Sequence, residues 1–281
     1  MHSATDCVLN NREDVPKDAG DPVLLIPQAR LAMLFPWKTA SQTLQARLEG
    51  VGVRPYPKLP AFNPHLRKVV HQHLTLLDWT CLPESQQGLD LAVFVRNPYD
   101  RVVSGFRQTL RDIQNLPRIQ YPQPWVRELV MEQVASVYAS ISRAGFDIDR
   151  WFQQLSAYAV LDAGHSICLC LHPVTYWTHR DHQPVADFIG RVENFEADFD
   201  RMTGRYGITG MPHRDANRSD PQLARPDRHN YLYAHGLHPR TIAKINELFS
   251  ADFELLGYPK ILPPPSGAGV TLTRPGAMGG P

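Results

Sequence analysis

Two short stretches of this chain combine residue types that can hold an anion. In the first, an apolar run over residues 31–35 gives way to Pro36-Trp37-Lys38-Thr39-Ala40-Ser41-Gln42-Thr43, and a helical pattern led by Leu44 and Leu48 follows. At such a turn the backbone N–H groups and the positive end of the helix attract phosphate or sulfate. Lys38 adds a point charge, and Ser41 and Thr43 add hydroxyl donors. The same residues can also build an ordinary N-cap through Thr39 or Ser41, with Lys38 in solvent. The glycines of a Walker-type phosphate loop are missing, so Lys38-Thr39 does not make one.

The second stretch follows the apolar run 89–95 and reads Arg96-Asn97-Pro98-Tyr99-Asp100-Arg101-Val102-Val103-Ser104-Gly105-Phe106. Pro98 suits the first turn of a helix, where its absent N–H is not needed, so the strand ends at Arg96. Arg96 then lies at the carboxyl edge of the sheet, where open parallel sheets bind ligands, and its planar fork matches phosphate oxygens. Ser104, about two helical turns further on, shares that side. Taken singly, the residues favour an Arg96–Asp100 surface ion pair and a packing role for Ser104.

Short apolar runs alternating with longer helical patterns must position these turns, which predicts an α/β fold with a parallel sheet. Strands are expected over 31–35, 68–70, 89–95 and 185–189, with 160–171 ambiguous. Helices are expected after Lys38, after Pro98, near Trp125, near Asp147, after Glu193 and after Pro239. The Trp125 helix carries Leu129, Val130, Val134, Val137, Tyr138 and Ile141 at three- and four-residue spacing and should lie apolar face down.

At 281 residues the chain is long enough for one compact domain, expected over 21–261, with polar or Pro/Gly-rich tails at 1–20 and 262–281. Lys and Arg number 29 against 28 Asp and Glu, so the net charge of +1 gives no global field for nucleic acid or an anionic membrane. Any anion site must be local. No apolar run approaches the roughly 20 residues of a membrane span, and there is no secretory h-region. The four cysteines, Cys7, Cys81, Cys168 and Cys170, form no disulfide framework, which fits a reducing compartment.

Taken in order, the Lys38 turn and the Arg96 turn resemble the sulfotransferases that use 3′-phosphoadenosine 5′-phosphosulfate (PAPS). The second motif is particularly similar to the carbohydrate O-sulfotransferase branch. Stretches 187–199, 211–219 and 252–258 resemble elements that follow in the same order in that family, so the resemblance spans roughly residues 31 to 258. It implies a single-domain, P-loop-like parallel sheet flanked by helices. It also implies that Lys38, Thr39, Ala40, Ser41, Gln42 and Thr43 surround the 5′-phosphosulfate, while Arg96 and Ser104 hold the 3′-phosphate. Trp37 departs from the family pattern, where a smaller residue is commoner.

Sulfuryl transfer asks for an acceptor oxygen in line with the leaving oxygen and for positive groups where charge accumulates. Lys38 meets the second need, and no metal is required. The acceptor hydroxyl must also lose a proton. His71 and His73 follow the 68–70 strand and share a face if it continues, making them the candidate bases, with His71 placed first. The uronyl 2-O-sulfotransferases show a similar His-x-His. A strand-end cap by backbone hydrogen bonding is the alternative for either.

His172, His179 and His182 with Cys168, Cys170 and Asp181 invite a zinc reading, but Cys-x-Cys is not the usual structural spacing, and a core or acceptor-lining segment is expected instead. Glu193 can orient Arg191, contact the acceptor or form a structural ion pair. His213, Arg214, Asn217, Arg218 and Ser219 form a polar loop that the resemblance places over the nucleotide, and that otherwise reads as solvated.

The reading is thus a sulfotransferase with PAPS as donor, 3′-phosphoadenosine 5′-phosphate (PAP) as product and a carbohydrate or other hydroxyl as acceptor. Its rivals are a kinase with a degenerate phosphate loop and a non-catalytic nucleotide- or glycan-binding protein of the same fold. Animal members of the family carry a membrane anchor and work in the Golgi; the absence of an anchor or signal here suggests a cytoplasmic or otherwise soluble relative. Near-zero net charge favours a short or weakly charged acceptor over a long, highly sulfated polymer.

Overall fold

A computed structural model describes residues 23–49, 51, 61–63, 66–70, 73–115, 121, 124–155, 172–209 and 236–262. Its elements in chain order are β1 (Leu24–Ile26), β2 (Leu31–Leu34), α1 (Ser41–Arg47), β3 (Ala61–Asn63), β4 (Lys68–Val70), α2 (Leu76–Thr80), β5 (Asp90–Val95) and α3 (Pro98–Asn115). They continue with α4 (Pro124–Arg143), α5 (Ile148–Gln154), α6 (Thr175–Thr178), β6 (His179–Arg180), β7 (Gln183–Pro184) and β8 (Phe188–Arg191). The last are α7 (Phe195–Arg205), α8 (Pro239–Leu248) and α9 (Ser250–Leu256).

Among the described residues the central sheet has the order β1-β2-β5-β8. The β2–β5 and β5–β8 pairs are parallel, with Leu34 opposite Val93 and Val95 opposite Arg191. This is the expected α/β architecture with parallel strands at its centre; β1, which the sequence reading lacked along with β3, β6 and β7, runs antiparallel along the β2 edge. Both faces of the sheet are covered, which is why its strands read as nearly continuous apolar runs. Leu31, Met33, Ala92 and Phe94 point to the side closed by Leu44 of α1 and by Phe199 and Met202 of α7. Ala32, Leu34, Leu91, Val93 and Val95 point to the other, larger core with α3, α5, α8 and α9. Each such Val, Leu, Met or Phe side chain, wholly removed from water, contributes about 1.5–3 kcal/mol before entropy is counted.

Three expectations are corrected. The 185–189 strand is displaced to Phe188–Arg191, because pairing of Phe188 with Ala92 sets its start, while Val185 is exposed. The 68–70 strand forms as read but belongs to a separate antiparallel pair with β3, not to the parallel sheet. In α4, Val130, Val134 and Ile141 are buried, yet Tyr138 is 46% exposed and meets Phe146 edge-on at 5.9 Å. Gly190 of β8 is paired with Phe94 of β5, and an added Cβ would stand 2.7 Å from the Phe94 ring, so the ring can lie over this position only because it carries no side chain.

The ambiguous 160–171 run, both tails up to residue 22 and from 263, the polar loop with His213, Arg214, Asn217, Arg218 and Ser219, and Cys7, Cys168 and Cys170 lie outside the described residues. Cys81 is exposed. Among the described residues no helix is long and apolar enough to cross a membrane.

Candidate active site

Because β2 and β5 are parallel neighbours in register, the turns that follow them leave the sheet at the same rim. The first runs from Phe35 to the start of α1 and contains two non-glycine residues in the left-handed region, Lys38 at φ 68° and Ala40 at φ 65°. Ala40 is the residue that precedes the helix, and no side chain caps α1 there. The ordinary cap by Thr39 or Ser41 is therefore not what the chain builds. Thr39 is wholly buried and its hydroxyl donates back to the Pro36 carbonyl at 2.8 Å, so this side chain braces the turn from inside.

Ser41 is buried, whereas Lys38 and Ala40 are half-buried at the rim. The Lys38 ammonium donates to Gln108 Oε1 of α3 at 3.3 Å. Gln108 in turn donates to Asp112 Oδ1 at 2.6 Å and accepts from Arg111 at 2.9 Å. Burial pushes the Asp112 carboxyl up, opposed by the Gln108 hydrogen bond and by the Lys38 and Arg111 charges. Ser104 and Gln108, one helical turn apart, share a face of α3.

His73 is brought to the same turn from elsewhere in the chain. It is buried, and its Nδ1 lies 2.7 Å from the Phe35 carbonyl oxygen. A carbonyl only accepts, so Nδ1 carries the hydrogen and, in the neutral ring, Nε2 carries the lone pair. Trp37 stacks on the imidazole with centroids 5.2 Å apart and planes at 19°. The bulky residue that departs from the family pattern thus turns inward and fixes the histidine. β4 ends at Val70, and His71 lies outside the described residues.

The second turn is built differently. Arg96 is half-buried at the rim, and its Nη1 stands 3.5 Å from the Lys38 carbonyl oxygen, a long contact that brings the two turns together. Behind it, Asn97 Oδ1 accepts the Asp100 N–H at 2.9 Å and caps α3, while Asn97 Nδ2 donates to Asp100 at 3.0 Å. Asp100 therefore serves the helix start and not an ion pair with Arg96. Arg101, the second arginine of the motif, points the other way. It is fully buried, 3.7 Å from Asp252, and donates to the His172 carbonyl. Asp252 also accepts the Val174 and Thr175 N–H groups at 2.8 and 2.9 Å. Arg101 is an internal strut.

The Glu193 carboxylate is engaged by Asn97 and Tyr258 and not by an ion pair with Arg191. Its Oε1 accepts the Asn97 backbone N–H at 2.7 Å, a role the sequence reading missed. The Asn-Pro pair followed by Asp100 is a capping signal that could have exposed Asn97; nothing local points to Glu193. Arg191 lies over the Tyr258 ring at 4.6 Å and donates to the Leu256 carbonyl. In the segment of the zinc reading, His172 packs beside Tyr176 and Trp177, and His179 Nδ1 is 2.8 Å from Thr178 Oγ1. Among the described residues no three His, Cys, Asp or Glu side chains are grouped to hold a metal ion.

The rim therefore carries a lysine on one turn and a guanidinium on the next, with an oriented imidazole packed against the first, and Ser104 lies on the α3 face from which Gln108 reaches Lys38. The model of the family described as "Sulfotransferase family" matches residues 67–259, more than half of the chain. That span holds the second turn, both histidines and the later motifs, while the first turn precedes it. No curated protein and no solved structure matches the chain. The sheet, the paired turns and the family match agree: the chain belongs to the sulfotransferase family, whose members transfer sulfuryl groups.

Proposed function

We propose that the protein transfers the sulfuryl group of PAPS to a hydroxyl, on a carbohydrate of short or weakly charged character, releasing PAP. The observation that supports this most is the adjacency of the two turns, with Arg96 Nη1 3.5 Å from the Lys38 carbonyl. A nucleotide with an anionic group at each end asks for a cation on each of two neighbouring turns, and the residues present fit that demand. The donor supplies an activated sulfuryl group on a good phosphate leaving group. The rest falls to the protein. Lys38 stabilises charge on the departing oxygens, with the N–H groups of 39–43 and the hydroxyls of Ser41 and Thr43 around them. Arg96 and Ser104 hold the far phosphate.

Of the two candidate bases, His73 is the one within the described residues: the Phe35 carbonyl sets its tautomer and Trp37 its ring plane. Its Nε2 lone pair then accepts the acceptor's proton. His71 stays in the proposal as its partner. The test is transfer of labelled sulfate from PAPS to a panel of sugars by wild type and by the His71→Ala/His73→Ala double variant. Wild type is expected to label a sugar, and the double variant to lose about 100-fold or more in turnover while still binding PAP. Unchanged turnover would remove both bases. Magnesium-dependent ATP turnover in place of sulfate transfer would favour the kinase, and PAP binding without transfer the binding protein.

A further inference from the structure

Three chain segments far apart in sequence meet beneath the second turn. Glu193 lies two residues beyond β8, and its carboxylate reaches across to the end of β5. Oε1 accepts the backbone N–H of Asn97 at 2.7 Å and the side-chain amide of the same residue at 2.9 Å. Oε2 accepts the hydroxyl of Tyr258, just beyond α9, at 3.1 Å. All three partners donate, so a carboxylate suits the position, and each is held by further structure. Asn97 and Tyr258 are buried, and Arg191 covers the tyrosine ring. Burial and the adjacent Glu193 charge push the Tyr258 hydroxyl well up, so it remains an O–H donor.

The Asn97 N–H belongs to the peptide plane that carries the Arg96 carbonyl. Fixing that N–H fixes the backbone rotation from which the Arg96 side chain leaves the sheet. We infer that Glu193 is a positioning residue: by gripping the Arg96–Asn97 peptide it aims the Arg96 guanidinium, and so sets how strongly the site prefers a nucleotide with a second phosphate. This rests on the nucleotide reading proposed above. A bidentate guanidinium–phosphate pair depends on direction as well as distance, so a small rotation of the peptide costs selectivity before it costs folding.

The experiment is calorimetric titration of PAP and of 5′-AMP, which differ by the 3′-phosphate, into wild type, Glu193→Asp, Glu193→Gln and Tyr258→Phe. The readout is the ratio of the two affinities, with thermal unfolding of each variant recorded alongside. Wild type is expected to prefer PAP. Glu193→Asp, one methylene short, should lower that preference about tenfold by loss of charged hydrogen bonds, with 5′-AMP affinity held. Glu193→Gln should restore most of it, since its carbonyl can take both Asn97 donors and the Tyr258 hydroxyl can turn to accept. Tyr258→Phe should lower it about threefold. A purely structural role would lower melting temperature or weaken both ligands alike and leave the ratio intact; that result in Glu193→Asp overturns the inference. Should Glu193→Asp not fold, an unchanged ratio in Tyr258→Phe overturns it instead. A wild type indifferent to the 3′-phosphate would remove the parent reading, and this one with it.

Discussion

The two turns at the rim each present a cation, on different supports. The Lys38 turn keeps its shape in the backbone: two non-glycine residues sit at positive φ, which costs about 1–2 kcal/mol each, and Thr39 and His73 bond to its carbonyls. The Arg96 turn has no such residue. It is held by side chains, through an Asn97 cap on α3 and the Glu193 carboxylate behind it. A turn that is to aim several amides at one point has to curl, and here the curl places two non-glycine residues at positive φ. A turn that only presents one guanidinium can stay relaxed, provided the peptide behind that residue is held. The proposed function assigns the first support to the reacting group and the second to recognition.

The largest expected effects separate those duties. Lys38→Ala should lower turnover about 100- to 1,000-fold while changing PAP affinity less than about tenfold. Arg96→Ala should weaken PAP about 10- to 100-fold and leave turnover at saturating donor within about threefold. Labelled-sulfate kinetics with calorimetry measures both, and matching profiles for the two variants would erase the division of labour.

A smaller pair of effects, opposite in sign, tests the supports themselves. Asn97→Ala should destabilise by about 1–2 kcal/mol through loss of the cap. Ala40→Gly should stabilise by up to about 1 kcal/mol, because glycine accepts positive φ, less its own entropy cost. Urea unfolding reads both, and destabilisation by Ala40→Gly would mean that the first turn is not strained.

The smallest effect concerns Asp112, whose carboxyl burial holds above the ordinary range against Lys38, Arg111 and the Gln108 hydrogen bond. A folded value above the unfolded one means that the folded state binds the proton more tightly, so this group's charge costs stability at higher pH. As pH falls through the raised value toward the ordinary one, wild type should gain stability relative to Asp112→Asn. Lys38→Met, which removes an opposing cation, should move that gain to higher pH. Unfolding midpoints across a pH series provide the measurement; a flat difference between wild type and Asp112→Asn would contradict the assigned burial.

Much of the frame was legible before any coordinates. The runs read at 31–35 and 89–95 became Leu31–Leu34 and Asp90–Val95, since a strand buried on both faces leaves an unbroken apolar signal. Pro98 marked the start of α3, and Asp147 caps α5 with its side chain. Where pairing rather than composition sets an element, the reading slipped. Strand β1 is three residues long and exists by pairing with β2, and β8 takes its register from β5.

Residue type and local order were enough to place Lys38 and Arg96 at strand-to-helix junctions, because apolar runs, a helix-starting proline and hydroxyl-bearing residues act within a few positions of one another. That the junctions are neighbours, that His73 braces the first and that Glu193 braces the second depends on contacts bridging 58, 38 and 96 residues of chain. Such contacts form when the strand order β1-β2-β5-β8 closes the sheet, so they leave no periodic trace along the sequence.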